Sequence, residues 1–285
     1  MRLAPLIHTR TFNCDFSSEF LVRPVDFLDK DIKWARKAVL DATAAIDKLQ
    51  GERWLVFDNG SYRVAGVVGF TKNICQKAGM LEDDESRKLF TDNKGRIIYA
   101  FIGIVTKCSD CFHDEELSYD YLWNEYKQCV AGVWEHTYQS VILKDFKDVS
   151  LPKRREIKNT AYTAINIGTI QCYESNDNLD DEVFEKYLLS KRNNFSFCSN
   201  LCDMIAVKNS SFSIITTTNN IITRMKREAT AQSVPQQEHL PENPNPEPEN
   251  EKKNSIRNKN YLPILCIGIL ISVLAIVAVS RIALK

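Results

Sequence analysis

Between Leu262 and Ser280 the chain carries no charged side chain. Coiled as an α-helix at roughly 1.5 Å per residue, such a run is about 28 Å long, close to the roughly 30 Å hydrocarbon core of a bilayer. A helix also satisfies its own backbone hydrogen bonds, which lipid demands. Tyr261 stands where an interfacial aromatic belongs. Pro263 falls in the first turn, where its missing N–H costs least. The sequence therefore predicts a transmembrane helix over 261–281 and a short tail over 282–285. Gly268, Ser272 and Ala275 recur at i, i+4 and i+7, a small-residue stripe through which such helices self-associate.

Flanking charge sets the expected orientation. Lys252, Lys253, Arg257 and Lys259 precede the run, and only Arg281 and Lys285 follow it. The excess on the N-terminal side places that side in the cytoplasm. The first residues, MRLAPLIHTRTFNCDF, lack the apolar core of a secretory signal. The expectation is a tail-anchored, single-pass membrane protein with a cytosolic head and the bilayer as one partner. The nine cysteines fit that compartment: they are scattered, odd in number, and include Cys266 inside the run, unlike a disulfide framework.

Residues 229–260 are rich in Pro, Glu and Asn and almost free of large apolar side chains. Such a segment cannot bury enough surface to offset the entropy of ordering, so a disordered tether is expected. Residues 1–228 then form the head, with a secondary boundary near 150. The whole chain balances 37 basic against 37 acidic residues, which argues against nucleic acid as a partner.

Within the head, DKDIKWARKAVLDATAAIDKLQG predicts a helix that Asp29 caps and Gly51 ends, with Ile32, Ala35, Val39, Ala42, Ile46 and Leu49 on one face. The stretch RWLVFDNGSYRVAGVVGF predicts two strands joined at Asp58-Asn59-Gly60. Ile97 to Val105 is an unbroken apolar run, as in a central strand covered on both faces. LAPLIHTRTF reads as an edge strand, and AYTAINIGTIQCY as one strand. A second helix places Leu122, Tyr126, Cys129, Val133 and His136 on one face, and DDEVFEKYLLSKR is a short third. FSFCSNL, DMIAVKN and SFSIITTTNNIITRM read as β-rich pieces. Trp54, Val56, Val67, Ile98, Phe101 and Ile104 are the expected core, packed by the first helix. The mixture lacks a βαβ rhythm. The fold class is therefore α+β, a mixed, largely antiparallel sheet packed by helices.

Chemistry is harder to read. Cys108-x-x-Cys111 followed by His113 has residue types that bind zinc, and Cys198 with Cys202 would supply a second pair. The spacing matches no standard knuckle, and zinc is the one cofactor these residues suggest. No thioredoxin-like pattern surrounds the Cys-x-x-Cys. No G-x-S-x-G, P-loop or dinucleotide fingerprint is present. Gly66, Gly69 and Gly103 lie inside strands, where glycine marks a bulge or a close backbone approach. The basic KRREIKN, Lys153 to Asn159, reads as a solvated loop. The leading reading is a binding or sensing module for a protein or small ligand, working at the membrane. The competing readings are two. One is a membrane-tethered metal- or thiol-dependent hydrolase using His113 with Cys108 or Cys111. The other is a membrane-perturbing effector, by analogy with bacterial immune systems that join a sensing domain to a transmembrane segment.

Overall fold

The computed structural model describes residues 1–45, 51–154 and 163–233. They fall in one compact unit, Met1–Pro235. Among them no helix is long and apolar enough to cross a membrane. The predicted span 261–281, the tether from residue 234 onward, Ile46, Leu49 and residues 155–159 of the basic cluster lie outside the described residues.

In chain order the elements are β1 (Arg2–Thr9), β2 (Val22–Pro24), α1 (Asp29–Thr43), β3 (Arg53–Asp58), β4 (Tyr62–Phe70), α2 (Thr71–Lys77), α3 (Asp84–Arg87), β5 (Tyr99–Lys107), α4 (Tyr119–Val130), β6 (Ile142–Lys144) and β7 (Lys147–Asp148). Then follow β8 (Ile165–Ile167), β9 (Ile170–Glu174), α5 (Asp177–Leu188), β10 (Ser196–Cys198), α6 (Met204–Asn209), β11 (Ile214–Thr217) and α7 (Asn219–Ser233). One mixed sheet runs β6-β2-β1-β5-β4-β3-β10-β11-β9-β8, with β7 paired to the start of β1. Its parallel pairings among the described residues are β2–β6, β10–β11 and β9–β11. The protein is α+β, a mixed sheet packed by helices on both faces.

Strand β5 is central, between β1 and β4, and its interior residues from Ala100 to Thr106 are all buried. The apolar run overreached at its start: Ile97 precedes the strand and is 60% exposed. The hairpin turn forms as its residues demand, with Asn59 and Gly60 between β3 and β4 and Gly60 at φ +84°. Strand β1 is interior, not an edge. Its proline survives there because Pro5 falls between the stretch paired to β7 and the stretch paired to β2, so that flank offers its nitrogen no ladder partner.

The expected core residues are buried, but on opposite faces. Trp54, Val56, Val67, Ile98 and Ile104 share a cluster with α2, α4 and α5. Phe101 lies on the other face with Leu55, Phe57 and Val64, under Ile32, Ala35 and Val39 of α1. Strand alternation explains the split. Helix α1 starts on Leu28, whose backbone N–H donates to Asp31, so Asp31 and not Asp29 caps it. It ends at Thr43, before Gly51, where the buried Arg53 guanidinium collects the carbonyls of Ala42 and Ala44.

The second half differs most from the sequence reading. AYTAINIGTIQCY is a hairpin, β8–β9, turning at Gly168 with φ +58°. DMIAVKN is helix α6, capped by Asp203, whose side chain accepts from the Ile205 and Ala206 N–H groups. The second part of SFSIITTTNNIITRM is α7, which continues to Ser233, five residues past the expected end of the head. Strands β9, β10 and β11 are parallel and joined by α5 and α6, a βαβαβ rhythm that the sequence reading did not anticipate.

Candidate functional site

The sequence singled out Cys108, Cys111 and His113 first. A 3-10 turn over Cys108–Asp110 follows β5. The Cys108 thiol donates to Asp58 Oδ2 at 3.1 Å, and the Cys111 thiol to the Cys108 carbonyl at 3.1 Å. Burial pushes the Cys108 thiol up to about 12, and the hydrogen bond to Asp58 adds to it. Burial also raises Cys111. His113 is exposed, and its backbone N–H donates to Glu115 at 2.7 Å. Cys198 is fully buried on β10, where burial pushes its thiol up to about 12. Cys202 donates to Asn200 Oδ1 at 2.9 Å and is raised by burial. Among the described residues no group of three or more His, Cys, Asp or Glu side chains is arranged to hold a metal ion. Burial raises all four thiols above the ordinary thiol range.

Asp58, the acceptor for Cys108, belongs to a structural node. Arg63 Nε and Nη2 both lie 3.1 Å from Asp58 Oδ2. The same guanidinium donates to the carbonyls of Leu188, Ser190 and Arg192. It therefore closes the C-terminal end of α5, where carbonyls lack intrahelical donors. Both side chains are at most 1% exposed. These groups are spent on the fold.

A cavity of ligand size lies elsewhere. A groove of about 510 Å³ runs along α1 from Asp29 to Asp41, walled on the other side by Ser18 and Glu19. That stretch of helix is roughly 18 Å long, and the volume lies in the range of small-ligand sites. Ile32 and Leu40 give the groove apolar surface; Lys33, Arg36 and Lys37 give it positive charge. Helical spacing puts residues 29, 33, 36, 37 and 40 on the flank beside the buried face of α1. Its acids are partly engaged: Glu19 with Arg23 at 3.1 Å, and Asp41 with Lys37 at 2.8 Å and with Ser211. Among the described residues Lys33 and Arg36 have no ion pair.

Two smaller cavities each hold a lysine that is already engaged. Beside α4 a cavity of about 430 Å³ includes Lys127, but Lys127 already holds Asp83 at 2.6 Å. A third, of about 260 Å³, includes Trp54, which donates to Asp181 at 2.9 Å, and Lys77, which lies over the Tyr119 ring. Lys127 and Lys77 are thus matched from within, whereas Lys88, also beside α4, has no ion pair among the described residues.

Sequence reasoning did not find Lys33 and Arg36, because cations flanking an amphipathic helix read as a solvated face. The missing signal was the opposite wall, Ser18 and Glu19, which only the fold brings alongside. No protein-family profile matches the chain, and no curated protein and no solved structure proved similar to it.

Proposed function

We propose that the chain is a tail-anchored, single-pass membrane protein whose cytoplasmic head is a binding or sensing module, and that the α1 groove is its ligand site. The uncharged run Leu262–Ser280 supports the anchor. The observation that carries the binding role is the groove with two cations, Lys33 and Arg36, that no carboxylate among the described residues engages. The hydrolase reading is disfavoured by the thiols. A thiol nucleophile or metal ligand acts as thiolate, and burial raises Cys108, Cys111, Cys198 and Cys202 away from that form.

Two measurements test this. Protease added to sealed vesicles, cytosolic face outward, should release the head intact; a protected head would overturn the topology. A small-fragment screen against the full-length protein in detergent should give hits that shift the Ile32 methyl resonances, on the groove wall. Those shifts should vanish on Leu40→Trp, which fills the groove. Hits that leave Ile32 unmoved and gather at Trp54 would overturn the groove assignment.

A further inference from the structure

The groove has a second feature, beneath its wall. His8 continues the β1 row of Ala4 and Leu6 that faces α1, and it is only 3% exposed. The Glu19 backbone lies beside the ring, and Arg36 is near enough to oppose a positive charge on it. Burial lowers the His8 pKa to about 4, so at neutral pH the ring is uncharged, with one donor and one acceptor nitrogen. Nδ1 is closed to solvent and has no partner among the described residues; the same is true of Arg36 Nε. Glu19 and Arg36 both line the groove. A ring nitrogen and a guanidinium N–H are therefore both left unmatched, where buried polar atoms are normally paired.

We infer that the α1 groove binds a phosphorylated polyol. Its phosphate sits on Arg36 and Lys33, with the Ser18 hydroxyl on the facing wall, and one of its hydroxyls donates to His8 Nδ1. The reasoning rests on the binding role proposed above and adds the ligand class. A guanidinium with a free Nε–H offers the fork that phosphate oxygens match. A neutral imidazole acceptor matches a hydroxyl and repels nothing. A bare oxyanion would leave His8 unmatched, and an uncharged sugar would leave Arg36 and Lys33 unmatched. Lys37 is neutralised by Asp41, and Asp29 at the groove's end adds one negative charge away from the Arg36 side. Phe16 stacks on the His8 ring at 5.0 Å and Phe20 meets it edge-on at 5.9 Å. Seating the hydroxyl therefore requires the Ser17–Glu19 wall to move outward. The same chemistry is offered by a soluble sugar or inositol phosphate and by a phosphoinositide headgroup.

The test uses the full-length protein in detergent, titrated with an inositol trisphosphate and with inorganic phosphate. A second arm uses the protein reconstituted with phosphatidylcholine vesicles, with or without phosphatidylinositol phosphate. Inositol trisphosphate should bind. Arg36→Gln should weaken it roughly tenfold or more, the effect of losing a charge-assisted pair, and Lys33→Gln should weaken it less. Lys72→Gln, on exposed α2, should change nothing. His8→Phe should weaken the inositol phosphate and leave inorganic phosphate unchanged. Saturation in the soluble arm assigns a free ligand; binding confined to the phosphoinositide vesicles, and lost in Arg36→Gln, assigns the headgroup. Binding insensitive to Arg36→Gln in both arms, or none in either, overturns the ligand class. Fragment hits on Ile32 would then still keep the groove as a site, whereas their absence too would bring down both.

Discussion

Strands β4 and β5 pair along their whole lengths, from Tyr62↔Lys107 to Phe70↔Tyr99. Strand β10 pairs with β3 only from Ser196 to Cys198, and with β11 only at Phe197 and Cys198. The first half of the sheet, β1 to β5, is thus a continuous antiparallel ladder buried on both faces. The second half, β8 to β11, is a set of short strands seeded on the β3 edge. Short ladders hold little by themselves. What fastens the second half is a pair of fully buried arginines on the first half's hairpin. Arg63 takes the carbonyls after α5, and Arg53 takes that of Asn200 after β10. The lesson is that cohesion here comes from side chains closing backbone ends rather than from strand length.

The largest effect should come from cutting that fastening. Arg63→Ala leaves Asp58 buried without its cation and three carbonyls without donors. Removing one partner of a buried pair costs roughly 3–5 kcal/mol. Hydrogen exchange should show β9, β10 and β11 losing protection well before β4 and β5. If all five strands lost protection together, the two halves would be one cooperative unit and the contrast would be wrong.

A second prediction concerns the first half alone. The His8 pKa in the folded protein is about 4, below its ordinary 6.5, chiefly through burial. Below pH 6.5 the unfolded chain takes up a proton that the folded chain refuses. Stability is therefore full above that pH and falls as pH drops toward 4, by about 3 kcal/mol for this group. Denaturant midpoints across that window should fall, and His8→Phe should flatten the fall. An unchanged slope in His8→Phe would mean that other groups set the acid limb.

A smaller cost probes the ladder's tightest point. Gly66 and Gly103 lie directly opposite each other on β4 and β5. A methyl on Gly66 would meet the Ile102 carbonyl and the Gly103 Cα, both backbone. Gly66→Ala should cost about 1–3 kcal/mol by overpacking, read as a lower denaturant midpoint with the slope retained. A neutral result would show that the two strands can part there without loss.

The contrast between the halves also explains what could be read from sequence. In the first half, long apolar runs and an Asp-Asn-Gly turn state the hairpin and the central strand, because local pattern and final burial agree. Helix α1 was legible for the same reason up to Ala42; its end was not, because the Arg53 guanidinium folds back from β3 onto the Ala42 and Ala44 carbonyls, a contact no periodicity shows. In the second half, IITTTNNIITRM reads as β by its branched residues. Yet the chain turns helical at Asn219, and Ile221, Ile222 and Met225 pack one face of α7 onto the sheet. Tertiary burial overrode propensity there. The thiols looked like ligands because residue type is visible in sequence, whereas the burial that keeps them protonated is not. The groove was invisible because its two walls and His8 meet only in the fold.

The smallest effect sharpens the contrast. Helix α6 spans only Met204–Asn209 and crosses from β10 to β11. Asp203 caps it, with its carboxylate accepting from Ile205 and Ala206 at 3.0 Å each. Only Ala206 and Val207 of this helix are buried, and Ile205 is 69% exposed. So short a helix has little propensity to form by itself, and its start rests on that one side chain. Asp203→Ala should cost about 1 kcal/mol, the usual worth of an N-cap. The loss should appear as faster exchange in α6 and β11, with β4 and β5 unchanged. Asp203→Asn, which keeps the acceptor, should restore protection. If Asn failed to rescue, the carboxylate's charge rather than its hydrogen bonds would be what holds the crossover, and the second half would depend on electrostatics as well as on capped backbone ends.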